Sequence, residues 1–179
     1  MPSCKNTKPA CVTLFLVLLL NLSPAAAGDL ELAQRQWLAG QGPKAIATVE
    51  AALLKTPNEL KLRFALGVMR MESGEQAAAL SIFTALTQDF PDLAEPQNNL
   101  AVIYAAMGEL DLAQRALEQA LALQPEHAQA QENLGDVLLR LALRAYQRAQ
   151  QAQVAPSGSL ALKVSRTADL LQATKLPGR

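Results

Sequence analysis

The stretch from Pro91 to Gly135, PDLAEPQNNLAVIYAAMGELDLAQRALEQALALQPEHAQAQENLG, decides the fold. Pro91 and Pro125 frame most of it, and Pro57 precedes Pro91 by the same interval that separates Pro91 from Pro125. The interval, about 34 residues, belongs to chains built from stacked copies of one supersecondary unit. With each proline at position 32 of its unit, the third unit runs from Ala94 to His127. Leu100 and Ala101 then form a large–small pair, Tyr104 follows, Gly108 marks a turn, and Ala113, Leu117 and Ala120 recur at helical spacing. The second unit, Leu60 to Leu93, repeats the series with Leu66, Gly67, Gly74, Ala79, Phe83 and Leu86, and has Arg70 where Tyr104 stands. The first offers Leu32, Ala33, Gly40, Ala45, Val49 and Ala52. A fourth opens in register with Leu134 and Gly135 but has Ala142 in place of the turn glycine. Ala145, Ala149 and Ala152 fit its later slots only with a short deletion.

Two antiparallel helices joined at the glycine account for these residue types. Small side chains at fixed positions let two helix axes approach closely, and large ones fill the space that remains. Proline suits the end of the second helix because it cannot continue one and restricts the residue before it. Gly42 followed by Pro43 opens a helix after the first turn, and Asp92, with Glu95 three residues on, is expected to cap another. Composition agrees: half the residues are hydrophobic but only 4% are aromatic, so strand formers are scarce and helix formers dominate. The expected fold is all-α.

The series resembles the tetratricopeptide repeat, over residues 29–155, with three good units, one degenerate unit and a closing helix. The Pro91–Gly135 stretch is similar to periplasmic bacterial members of that family, some of them associated with L,D-transpeptidases. The resemblance implies a non-catalytic solenoid that binds a protein or peptide partner in a concave groove lined by the first helix of each pair. Transferred slot by slot, the groove residues are Leu30, Gln34, Trp37 and Leu38, then Lys61, Phe64, Val68, Met71 and Glu72. The third unit adds Glu95, Asn98, Val102, Ala105 and Ala106, and the fourth Gln129, Glu132, Asp136, Leu139 and Arg140. Trp37, Phe64 and Met71 would be its anchors, since large or flexible side chains dominate binding hot spots. The competing reading has them filling the inner wall between neighbouring helices. Val68, Asn98 and Val102 would line the middle, and Glu132 and Asp136 an acidic end whose alternative is a solvated face with i,i+4 charge pairs. The basic and asparagine constellation of the carboxylate-clamp subclass is not recognisable at these slots.

Beyond the repeats, Pro156, Ser157, Gly158 and Ser159 break the chain, with Ser159 as the expected cap of a helix from Leu160 to Ala173. Leu160, Val164, Ala168 and Leu171 form one apolar stripe on it. Residues 156–179 are expected to cap the solenoid of residues 28–155, because a terminal unit otherwise exposes what an inner one buries. The rival is a mobile tail whose stripe binds a partner. Arg63 and Arg70 share a helix face and are expected to lie over apolar surface or pair with acids of the adjoining unit. His127 is expected to be a solvated loop residue.

Catalytic readings fare badly, since the chain has one histidine and no cysteine after Cys11. No catalytic residue, metal or cofactor is expected. Sixteen basic and sixteen acidic residues cancel, so no global field points to nucleic acid. The alternative to an adaptor is a structural module whose groove is filled by its own chain or a second copy.

Residues 1–27 are a different text. Lys5 and Lys8 precede an apolar run from Val12 to Leu22, and Ala25, Ala26 and Ala27 close it. These are the parts of a secretory signal peptide, cleaved before Gly28. The run is shorter than the roughly 20 residues of a spanning helix. A periplasmic or secreted chain is expected, free of the membrane after cleavage and free of cysteine, with 14 basic and 16 acidic residues. The alternative is an uncleaved anchor in the inner membrane with the repeats facing the periplasm. Mass spectrometry of the protein from an envelope extract should find a chain beginning at Gly28; a cytoplasmic chain that keeps Met1 contradicts export.

Overall fold

The computed structural model describes residues 24–153 and 157–174. Lys5, Lys8, the apolar run, both cysteines and Pro156 lie outside the described residues. Those residues form eight helices and no strand: α1 Pro24–Leu38, α2 Gly42–Lys55, α3 Leu60–Glu72, α4 Gln76–Asp89, α5 Ala94–Ala106, α6 Leu110–Leu123, α7 Ala128–Gln151 and α8 Gly158–Thr174. No described helix is long and apolar enough to cross a membrane. Two compact units divide inside α7, between Gly135 and Asp136.

Three of the turns are copies of one another. Gly40, Gly74 and Gly108 have φ of 74°, 81° and 83°. The next residue's N–H reaches back five residues in each case, Gln41 to Gln36 O, Glu75 to Arg70 O and Glu109 to Tyr104 O, all at 2.9 Å. That bond satisfies carbonyls a helix end leaves open and folds the chain back. A side chain in this left-handed conformation costs about 1–2 kcal/mol, so glycine holds the position. The next place in the series is Ala142, and there the chain does not turn. α7 runs on for 24 residues instead. The expected second helix of the fourth unit, with Ala145 and Ala149 in its slots, is the continuation of α7.

The helix ends are equally periodic. The N–H groups of Thr56, Phe90 and Gln124 close α2, α4 and α6 on Ala52 O, Leu86 O and Ala120 O, and a proline follows each. Asp92 is not the cap of α5; Leu93 takes that position, without a side-chain bond. His127, in contrast, is no plain loop residue, because its Nδ1 accepts the Ala130 N–H at 3.2 Å and caps α7. Ser157, not Ser159, precedes α8, and its Oγ accepts the Leu160 N–H at 3.3 Å.

The core follows the slots. Ala33, Ala45, Val49, Ala52, Ala79, Phe83, Leu86, Leu100, Ala101, Ala113, Leu117 and Ala120 are all buried. Leu32, in the slot of Leu100, is 43% exposed at the start of the stack. The helices of the second hairpin approach closely at Gly67, where a Cβ would sit 2.8 Å from Phe83 Cζ and 3.2 Å from Ile82 Cγ2. Its counterpart in the third unit joins a larger small residue to a smaller large one, Ala101 with Leu117. Volume is thus traded across the hairpin so that the same separation can be kept.

In the C-terminal unit, the expected apolar stripe is the covered face of α8. Leu160 is buried and Val164, Ala168 and Leu171 are half-buried, while Leu162, Arg166 and Leu170 are exposed. Lys163 Nζ lies 5.7 Å from the Tyr146 ring centroid, which sets α8 beside the C-terminal half of α7.

Gly67→Ala tests the hairpin packing. Alanine favours a helix by about 1 kcal/mol, but overpacking a ring with no free space costs about 1–3 kcal/mol. The variant should therefore lose stability in urea unfolding. Combined with Phe83→Leu, which copies the third unit, it should lose at least about 1 kcal/mol less than the two single losses added together.

Candidate functional site

Successive first helices touch, α1 with α3 and α3 with α5, whereas no such contact joins α2 to α4 or α4 to α6 among the described residues. The stack is therefore closed along its first helices and open along its second ones. The side lined by α1, α3 and α5 is the inner face.

Two side-chain bridges of the same span stitch this face. Trp37 Nε1 donates to Glu72 Oε2 at 3.0 Å, and Asn133 Nδ2 donates to Asn98 Oδ1 at 2.8 Å. Each links one first helix to the next, 35 residues on. One repeat period plus one residue is the step that brings inner-helix side chains of adjacent units together. The tryptophan ring also rests on Gly42, where a Cβ would meet Cζ3 at 3.3 Å. Trp37 is thus half-buried and tied, as the inner-wall reading has it, with one ring edge committed to the next unit.

The remaining slot residues separate by burial. Phe64 is half-buried and sets its ring edge-on to the core ring of Phe83, with centroids 5.5 Å apart at 80°. Met71 and Val102 are half-buried, and Glu132 is exposed. Val68 and Asn98 are only 3% and 2% exposed, so neither side chain offers surface to a partner. Asn98 acts through its bridge to Asn133 instead. Asp136, half-buried, belongs to the C-terminal unit. Among the anchor and mid-groove positions, Phe64, Met71 and Val102 are left as part-exposed apolar side chains.

Arginines tie α3 to its neighbours. Arg63 pairs with Asp89 at 2.7 Å and lies 6.0 Å from the Phe90 ring centroid. Arg70 fills the tyrosine slot and bridges Glu50 of the preceding hairpin to Glu75 of its own turn. Its hydrogen bond to Glu50 raises its pKa above the ordinary value. No group of three metal-ligating side chains occurs among the described residues.

Tetratricopeptide-repeat profiles match residues 30–94 and 70–135, which together span more than half of the chain. The chain belongs to the tetratricopeptide-repeat family. No curated protein is similar enough to be matched with it. Among solved structures, PcrH from Pseudomonas aeruginosa is 24% identical over 69% of this chain and 99% of its own, with a TM-score of 0.60. The first tetratricopeptide domain of Spaghetti (RPAP3), solved with the HSP90 peptide SRMEEVD, is 18% identical over 69% of this chain and 98% of its own, at 0.62. YrrB, described as having an unusual peptide-binding site, is 26% identical over 60% of this chain and 55% of its own, at 0.56. These likenesses are to the repeat fold; the bridges and the Arg70 clamp are read from this chain alone.

Sequence reasoning found the inner helices but not the bridges, whose signal is a polar or aromatic residue recurring one position beyond the repeat period. Trp37→Phe removes the N–H together with part of the indole, and should cost at least about 1 kcal/mol. In a double-mutant cycle with Glu72→Ala, followed by circular dichroism in urea, the pair should show a coupling of about 0.5–1.5 kcal/mol. Additive losses would mean that the bond holds nothing.

Proposed function

We propose that this tetratricopeptide-repeat protein is a non-catalytic adaptor that holds a segment of another protein against the inner face of α1, α3 and α5, outside the cytoplasm. The observation that carries the reading is the half-buried apolar strip of Phe64, Met71 and Val102 on helices whose backbones are already fixed by interhelical bridges. A rigid wall with apolar side chains part-exposed is a surface that loses little order on binding, so burial of the strip goes into affinity. Peptide binding by the Spaghetti domain and the binding site named for YrrB support an extended or helical segment as the occupant. Such segments dock through a few spaced apolar anchors.

Export supports the choice of partner. The basic flank, apolar run and Ala-x-Ala ending of residues 1–27 would deliver the repeats to the envelope, where a chain without cysteines after cleavage is stabilised by its core. The anchored alternative leaves the inner face on the same side of the membrane.

Phe64→Ala with Met71→Ala should weaken capture of the partner from an envelope extract by roughly 30-fold, since truncating a hot spot costs on the order of 2 kcal/mol. Helicity should change little. The control is Leu54→Ala on α2, whose side chain is exposed on a second helix. Capture lost in the control and kept in the double variant would move the binding face to the other side of the stack.

A further inference from the structure

The balanced net charge conceals a division. Residues 28–135 carry fourteen acidic and seven basic side chains, whereas residues 136–179 carry two acidic and seven basic ones. The acidic part is the repeat stack, and the basic part holds the end of α7 and α8. α8 has two faces. One, through Leu160, Val164 and Leu171, is covered; the opposite one presents Leu162, Arg166 and Leu170 at spacings of four residues. The two leucines of this outer stripe are each 52% exposed, and Arg166 stands between them, also exposed.

The first helices of the repeats carry the chemical complements. Val102 and Glu95 share α5, and the Asn98–Asn133 bond brings Glu95 and Glu132 into one neighbourhood, since Glu95 lies one turn before Asn98 and Glu132 adjoins Asn133. The sizes agree as well. α8, at 17 residues, is about 25 Å long, and three first helices packed about 8–10 Å apart spread their axes over about 20 Å.

We propose that the outer stripe of α8 docks on the inner face of a second copy of this chain, with Leu162 and Leu170 on the apolar strip and Arg166 toward Glu95 and Glu132. This rests on the inner face being the binding face. The contact joins two different surfaces, so it is head-to-tail and leaves one of each surface unused at the ends of every open assembly. Charge complementarity selects the copy and sets its orientation.

The test is sedimentation equilibrium of the full chain. It should associate with rising concentration, more weakly at high salt, because the paired charges are screened. Arg166→Glu, at an exposed position that leaves helicity unchanged, should weaken association by about tenfold, as should Glu95→Lys with Glu132→Lys. The decisive arm mixes these two variants. The first retains an intact inner face and the second an intact α8, and the reversed charges on the other two surfaces are again opposite in sign, so the association lost in each variant alone returns in the mixture. A full chain that stays monomeric overturns the inference, as does a mixture that recovers nothing. Binding of a monomeric full chain to phosphatidylglycerol vesicles, lost in Arg166→Glu, would overturn it in favour of a lipid surface. Partner capture that still depends on Phe64 and Met71 while no self-association occurs would overturn this inference alone and leave the adaptor reading standing.

Discussion

A chain that leaves a helix through a left-handed residue turns back beside the helix it has just made. Gly40, Gly74 and Gly108 do this once in each repeat, each closed by the same return bond across the turn. The hairpins exist because of that conformation, and everything else is packed onto them. Small residues then decide how near the two helices come, and Gly67 against Phe83 shows the limit, with no room for a single added carbon. Ala142 marks where the constraint lapses. Alanine prefers to stay helical, and α7 accordingly continues through the position where a fourth hairpin would have turned.

The inner face follows from the same stacking. Each first helix packs on its own second helix and touches the next first helix, which leaves the inner side chains the choice of filling the wall or meeting a partner. Trp37, Val68 and Asn98 are drawn into the wall, by an indole–carboxylate bond, by core burial and by an amide–amide bond. Phe64, Met71 and Val102 remain half-exposed. The part-exposed side chains are thus what a well-packed wall leaves over, and the rigidity of that wall comes from the residues drawn into it.

Much of this was legible in the residues because the repeat writes its own register. Prolines at one spacing, glycines at the same spacing and buried small positions between them name the helices, their ends and most of the core. The stripe on α8 was legible for a similar reason, since helical periodicity persists outside the repeat. Contacts between units were not. A bond from Trp37 to Glu72 depends on side-chain reach across two helices, and nothing local in either segment announces it. Arg70 in the tyrosine slot is a departure from the repeat that only its two carboxylate partners explain, one of them in the preceding hairpin. Caps were misplaced where a suitable residue stood one or two positions from the true helix start, as with Asp92 and Ser159, because several candidates satisfy the same local rule.

The claim on which the functional account stands is that recognition occurs on the side where first helices touch. Methyl chemical-shift mapping of the protein with the partner recovered from an envelope extract reads this directly. The account predicts perturbation concentrated at the Met71 and Val102 methyls, with Leu54 and Leu112 on the second helices unmoved. Shifts confined to Leu54 and Leu112, with Met71 and Val102 silent, would contradict it.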